Sequence, residues 1–442
     1  MYYKSMSLLT DKVIAIVFAY APAGLGHLRV SRALRLGLPA GTQPILLPDP
    51  AASVQSLHRL TSNTPLGRRI LEFGQYGWTE EIFTKLYRSL LVRDAWRLEK
   101  KLLDVLKQQV ELPSTLLLIA THFGIAHQVS AIKKSLEKKG NIRVILVVQV
   151  TDDSPQKMWY VPNADCIVVP SEYTRQELLI YKRIEHLLPS RVVTLPYPVS
   201  PELNTRLSGN ELDAKKAQAD PTSNRRIQVC VPLSGAQVGM NYASTLMHTL
   251  HRINDRMHFH IVGKRTMFSE LYLSSWNGKS YATTYESHSD RQIVELYEEA
   301  YQETVFLAEI TKPSEQTFKA LLSPTKRGGV ILLFTEPVGR QEYDNLNFLR
   351  RHHLIPTEDE QNKLYDVSKR HERFLSLDDI RMLKTCRGLV LPKNPTLAAQ
   401  FIDWLQKTKT FEHMMKYEPR ADSPEVSDAG VRLFWEHVGK LL

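Results

Sequence analysis

Val13-Ile14-Ala15-Ile16-Val17-Phe18-Ala19-Tyr20 runs into Ala21-Pro22-Ala23-Gly24-Leu25-Gly26-His27, an apolar segment followed at once by a glycine turn. An uncharged run of this length is a buried strand, and the glycines after it let the backbone turn sharply into a helix that starts over Leu28–Gly37. Outward from it the pattern recurs. Strands are expected at Pro44–Leu47, Thr115–Ala120, Arg143–Val150, Cys166–Pro170 and Val192–Leu195, with helices over His122–Lys139 and from Ser171. Strands alternating with helices pair in parallel through right-handed crossovers.

A composition change then marks a boundary. Pro196-Tyr197-Pro198-Val199-Ser200-Pro201 is stiff, and Ser208–Arg226 is polar and rich in Ala, Lys and Asp. The alternation restarts with a strand at Gln228–Pro232, a turn at Ser234–Met240 and a helix at Asn241–Ile253. Strands at His258–Val262, Val305–Ile310 and Gly329–Phe334 follow, with a helix at Glu315–Leu322. The expectation is two α/β domains in tandem, residues 1–200 and 227–428, joined by a linker at 201–226. An amphipathic C-terminal helix, 429–442, is expected to pack back on the first.

With 442 residues, 43% hydrophobic and 24% charged, the chain can bury sizeable cores. No run approaches the ~20 apolar residues of a membrane span. Asp11 and Lys12 interrupt the apolar N-terminal stretch, which argues against a signal peptide and for a cytoplasmic protein. Cys166, Cys230 and Cys386 lack metal-site spacing and read as small buried residues. The net charge of +10 favours polyanionic partners, but no zinc-finger or RNA-binding motif points to nucleic acid.

Each half carries a glycine turn at a strand-to-helix junction: Gly24-Leu25-Gly26-His27, and Pro232-Leu233-Ser234-Gly235-Ala236-Gln237-Val238-Gly239-Met240. Such turns expose helix N-terminal amides to an anionic ligand. Taken alone, the first is equally a packing turn. Arg29 at its third glycine position makes it a poor dinucleotide fingerprint, although Asp49 keeps an NAD-type reading open. Two such turns together suit a ligand that bridges two domains.

The order of motifs resembles the MurG-like and monogalactosyldiacylglycerol-synthase-like glycosyltransferases over roughly residues 13 to 405. Gly24-Leu25-Gly26-His27 is similar to that family's Gly-Gly-His turn, and Thr121-His122-Phe123 to its second histidine turn. Thr151-Asp152, Trp159, Asp165 and Val169-Pro170-Ser171-Glu172 follow its Thr-Asp…Trp…Asp…Val-Pro-Ser-Glu series. Gly263-Lys264, Ile310-Thr311-Lys312-Pro313…Thr317 and Pro337…Gln341-Glu342…Asn345 resemble its donor-binding elements. The resemblance implies the GT-B architecture: two Rossmann-like domains whose parallel sheets face an interdomain cleft, the first binding acceptor and the second a nucleotide sugar. Three departures stand out. The family's ribose-gripping glutamate falls at Ala320, and Ser314-Glu315 replaces its glycine pair, with an insertion at Ser323–Gly328 soon after. Its histidine between Thr-Asp and Trp falls at Gln156.

Glycosyl transfer needs a base for the acceptor hydroxyl and donors for the departing diphosphate. His27, at a helix N-terminus that disfavours the imidazolium, is the candidate base; its alternative is a capping residue. His122 and Asp152 are candidates to assist or orient. Gly24, Gly26 and Trp159 are expected on the acceptor side. The expected donor contacts are Ser234, Gly235, Gly239, Lys264, Lys312, Thr317, Gln341, Glu342 and Asn345. No Asp-x-Asp pair stands ready for a metal, so neither metal nor cofactor is expected.

The segment Leu57–Lys101 interleaves cations, among them Arg68, Arg69, Arg93 and Arg97, with aromatic residues. That mixture suits an anionic bilayer surface, or equally a solvated helical face. The resulting expectation is an inverting transferase, peripheral to the inner membrane face, moving sugar from a UDP-sugar to a lipid-type acceptor. A catalytically impaired nucleotide-sugar-binding or regulatory protein, and a GT-B-fold sugar-nucleotide epimerase, are the alternatives.

Overall fold

The computed structural model describes residues 13–20, 24–48, 88–89, 91–109, 111–180, 188–234, 238–335, 339–418 and 423–442. The chain divides into two compact units, Met1–Ser200 with Ala429–Leu442, and Pro201–Asp428. In the first, β1 (Ile14–Tyr20), β2 (Ile45–Pro48), β3 (Thr115–Ala120), β4 (Arg143–Gln149), β5 (Cys166–Val169) and β6 (Val192–Thr194) form a parallel sheet ordered β2-β1-β3-β4-β5-β6. Adjacent residues Val17 and Phe18, Leu117 and Leu118, and Leu146 and Val147 are all fully buried, so both faces of the sheet are covered. Each such side chain contributes roughly 1.5–3 kcal/mol relative to exposure, which is why uninterrupted apolar runs become these strands.

The second unit repeats the plan. β7 (Ile227–Pro232), β8 (Met257–Lys264), β9 (Ala282–Ser287), β10 (Ala308–Thr311), β11 (Val330–Leu333) and β12 (Gly388–Val390) form a parallel sheet ordered β12-β11-β10-β7-β8-β9. Each sheet therefore has a point where successive connections leave in opposite directions, between β1 and β3 in one and between β7 and β10 in the other. Above the carboxyl ends of strands at such a switch point, diverging connections leave a crevice, the usual ligand position in open α/β sheets.

Three stretches depart from the sequence-based expectation. Residues 201–226, expected as a linker, hold the helix Gly209–Ala219, started by a Ser208–Glu211 capping box. Its Lys215 is fully buried, and the ammonium donates to the carbonyls of Pro324, Lys326 and Gly328 at 3.2, 3.0 and 2.7 Å. The polar composition of this segment thus serves an interior contact. Second, the helix expected at Glu315–Leu322 is wound as a 3-10 helix over Glu315–Leu321. Lys319 is drawn inward to Glu309, Tyr297 and Tyr301, and Ala320 beside it is fully buried. Third, β9 and β12 lie where no strand was expected.

The C-terminal helix Gly430–Val438 packs within the first unit, where Trp435 Nε1 donates to the Leu34 carbonyl at 2.8 Å. Gly430 is required there, because a Cβ would collide with the backbone carbonyls of Pro196 and Tyr197.

Candidate functional site

The first unit gathers His27, His122 and Asp152 above its switch point. His27 lies in the first turn of the helix Leu25–Leu36 that follows β1. Its Nδ1 is 2.6 Å from the Thr121 carbonyl at the end of β3. A carbonyl only accepts, so Nδ1 carries the proton and the lone pair of the neutral ring sits on Nε2. Thr121 also donates its hydroxyl to the His27 carbonyl at 3.1 Å, and Ser31 Oγ lies 2.9 Å from that hydroxyl. Thr121 therefore holds His27 through both its imidazole and its main-chain carbonyl.

His122 caps the helix Phe123–Gly140, its Nδ1 accepting the Gly124 N–H at 3.1 Å. That bond puts the proton of its neutral ring on Nε2, the opposite tautomer to His27. The ring is 1% exposed and meets His27 edge to face, centroids 4.8 Å apart. Thr151 stands between Asp152 and His27, its hydroxyl 3.4 Å from both His27 Nδ1 and the Asp152 carboxylate. Trp159, expected beside an acceptor, is 1% exposed and packs on Phe123 and His27 at 5.6 and 6.4 Å. It supports the histidine from beneath. Gly24 precedes the helix in extended backbone with open space where a Cβ would stand, and Gly26 is half-buried in the first turn.

The Val169-Pro170-Ser171-Glu172 block is structural. The Ser171 hydroxyl accepts from Thr174 N at 3.1 Å, and the hydroxyls of Ser171 and Thr174 both donate to the fully buried Asp153. Nearby, His127 Nε2 donates to the Met158 carbonyl at 2.9 Å. Burial, with Arg88 as neighbour, pushes His127 down to about 3, so it is a neutral interior tie.

In the second unit a small recess opens at the β7–β10 switch point. Ser234, Gly239, Thr311, Lys312, Gln316 and Phe334 are among the residues lining it. Gly239 adopts φ +89° at the start of the helix Met240–Ile253, and a Cβ there would stand 2.6 Å from the Phe334 ring. Only glycine fits both demands. Phe334 in turn stacks on Tyr242 at 5.1 Å. Ser234 Oγ accepts the Val238 N–H at 3.0 Å, which closes the turn.

The other expected donor contacts are placed differently from one another. Lys312 pairs with Glu342 at 2.7 Å, and Glu342 also accepts from Gly339 N at 2.8 Å. Lys264, expected as countercharge, pairs with Asp290 at 2.7 Å. Thr317 donates to the Ser314 carbonyl at 2.8 Å, and the fully buried Asn345 donates to the Pro313 carbonyl at 3.1 Å. These last two hold the loop after β10 in shape. Gln341 is half-buried in the first turn of the helix Arg340–Arg351. Gly235, Arg68 and Arg69 lie outside the described residues. Arg93 and Arg97 are exposed, and Arg97 lies over the ring of Trp96, itself 58% exposed, at 5.4 Å.

The Thr121 carbonyl, Gln316 and Phe334 were not singled out from the sequence. Thr121 and Phe334 directly follow β3 and β11, and that position is the signal that marks them.

No family model matches the chain, and no curated protein matches it in sequence. Among solved structures it is similar to a Listeria monocytogenes protein assigned as a UDP-N-acetylglucosamine 2-epimerase, at 9% identity and TM-score 0.50, covering 97% of this chain and 96% of that one. It is also similar to the UDP-GlcNAc 2-epimerase of Neisseria meningitidis bound to UDP-GlcNAc, at 8% identity and TM-score 0.48, covering 96% and 100%. A third is MurG of Acinetobacter baumannii, at 9% identity and TM-score 0.43, covering 96% and 99%. At such identities the likeness is one of fold: the chain has the GT-B layout of two α/β domains, each built on a parallel six-stranded sheet.

Proposed function

We propose that this protein is an inverting glycosyltransferase of the MurG-like and monogalactosyldiacylglycerol-synthase-like kind. It takes a nucleotide sugar, a UDP-sugar, and glycosylates a lipid or lipid-linked acceptor at the cytoplasmic membrane surface. The observation that carries this reading is His27, whose Nδ1–H is committed to the Thr121 carbonyl at 2.6 Å. Its Nε2 lone pair is then set to take the proton of an attacking hydroxyl as the bond to the anomeric carbon forms. The recess at the Gly239 helix N-terminus supplies hydrogen-bond donors for the departing diphosphate. Arg93, Trp96, Arg97, Lys100 and Lys101 all stand exposed around the helix Ala95–Lys107, a surface suited to anionic headgroups. Among the described residues no helix is long and apolar enough to cross a membrane.

A second reading, nucleotide-sugar binding without transfer, is favoured by one observation: Ala320, where the related enzymes carry a ribose-gripping glutamate, is fully buried. Incubating the protein with a panel of nucleotide sugars and lipid acceptors in vesicles separates the readings. The proposal expects release of nucleoside diphosphate and a glycolipid of inverted anomeric configuration. Binding without turnover would establish the second reading instead. A sugar epimerised without transfer would make the protein an epimerase, and no binding of any donor would overturn the proposal.

A further inference from the structure

Gln316 lies in the recess at the β7–β10 switch point and is 7% exposed. Its Oε1 accepts the Thr311 hydroxyl at 3.0 Å, which fixes the side chain. Its Nε2 is buried and has no hydrogen-bond partner among the described residues. A buried N–H left unpaired costs about 1–3 kcal/mol, so its retention calls for a ligand that completes it.

The polar groups around it point to the chemistry of that ligand. Ser234 Oγ already accepts from Val238 N, so its own hydrogen is left to donate. The first amides of the helix Met240–Ile253 begin at Gly239 and are donors as well. Lys312 also lines the recess, but its charge is balanced by Glu342. The recess thus offers neutral donors to something that only accepts, which describes phosphate oxygens and not sugar hydroxyls.

We propose that Gln316 is a specificity-determining residue of this site, its side-chain amide donating to a diphosphate oxygen of the bound nucleotide. This rests on the donor-binding reading above and adds a residue to it. The 3-10 winding of Glu315–Leu321 is what delivers the amide. Gln316 and Lys319, three residues apart, eclipse in such a helix, and the contacts of Lys319 with Glu309 and the two tyrosines anchor the turn.

The test is calorimetric binding of UDP, uridine and inorganic pyrophosphate to wild type, Gln316→Met and Gln316→Glu. Melting temperatures without ligand identify any variant that fails to fold. Gln316→Met should weaken UDP and pyrophosphate roughly tenfold, the scale of one charge-assisted hydrogen bond, and leave uridine unchanged. Gln316→Glu should weaken them further, by placing a carboxylate against phosphate. Equal affinities in all three proteins would overturn the inference while leaving the donor-binding reading intact. Pyrophosphate binding that depends on Gln316, with no nucleoside diphosphate bound, would keep the contact between the amide and a diphosphate and overturn its assignment to a nucleotide together with that reading. No binding of any probe would overturn both. In wild type with labelled glutamine, the Gln316 side-chain NH₂ resonance should shift on adding pyrophosphate; an unmoved resonance at saturation would also overturn it.

Discussion

His27 and His122 meet edge to face at 4.8 Å in opposite tautomers, one held by the Thr121 carbonyl and the other by the Gly124 amide. The pair divides two tasks. His27 presents a basic nitrogen, while His122 is a buried cap that gives it a rigid wall.

Replacing His27 by Ala is therefore expected to lower kcat by about 10²–10⁴, the usual worth of a positioned base. UDP affinity should stay within twofold, because the recess belongs to the other unit. His122→Ala should instead cost about 1 kcal/mol of stability through the lost cap, and His122→Asn should recover most of it. Steady-state kinetics with urea unfolding of the three variants checks this division. A kcat for His27→Ala equal to wild type would remove its role as base.

Gly239→Ala should abolish nucleotide binding and lower stability by about 1–3 kcal/mol. The φ of +89° is strained for alanine, and the methyl would drive into Phe334. A companion Phe334→Ala change should relieve the collision but not the backbone strain. Calorimetry and thermal unfolding of the single and double variants give the readout.

Stability should fall with acid in a defined window. His127 is held down to about 3 and His260, buried beside His258, to about 4, against ~6.5 in an unfolded chain. The unfolded state thus binds more protons over that interval, so stability is complete above about pH 6.5 and is lost as pH drops toward the folded values. The slope for one such histidine is up to ~1.4 kcal/mol per pH unit. His127→Gln, which keeps a donor for the Met158 carbonyl, should flatten the dependence of Tm on pH. An unchanged profile would mean that His127 is not a source of it.

Neutralising Arg93 and Arg97 should reduce sedimentation with anionic vesicles by several-fold, at ~1 kcal/mol per surface cation, and adding Trp96→Ala should reduce it further. Neutral vesicles serve as the control. Equal binding of wild type and variant to anionic vesicles would withdraw this surface from membrane contact.

Much of the fold was legible because parallel strands buried on both faces are written as apolar runs, as in Val13–Tyr20 and Thr115–Ala120. β9 escaped notice because Ala282–Ser287 is half-buried throughout and carries Thr, Tyr, Glu and Ser at a sheet edge. β12, Gly388–Val390, is too short to announce itself. The histidine pair was readable from two strand-end turns. Its orienting group was not, since a main-chain carbonyl such as that of Thr121 has no letter of its own. Gln316 was invisible for a related reason: which way residue 316 faces depends on 3-10 winding, and Glu315–Leu321 has the composition of an ordinary α-helix.

That winding also closes position 320 to an acidic side chain. Position 320 now faces the interior, with Lys319 already matched to Glu309. A glutamate placed there would bury a carboxylate, at a cost of several kcal/mol. To take such a side chain the turn would first have to rewind and release its lysine.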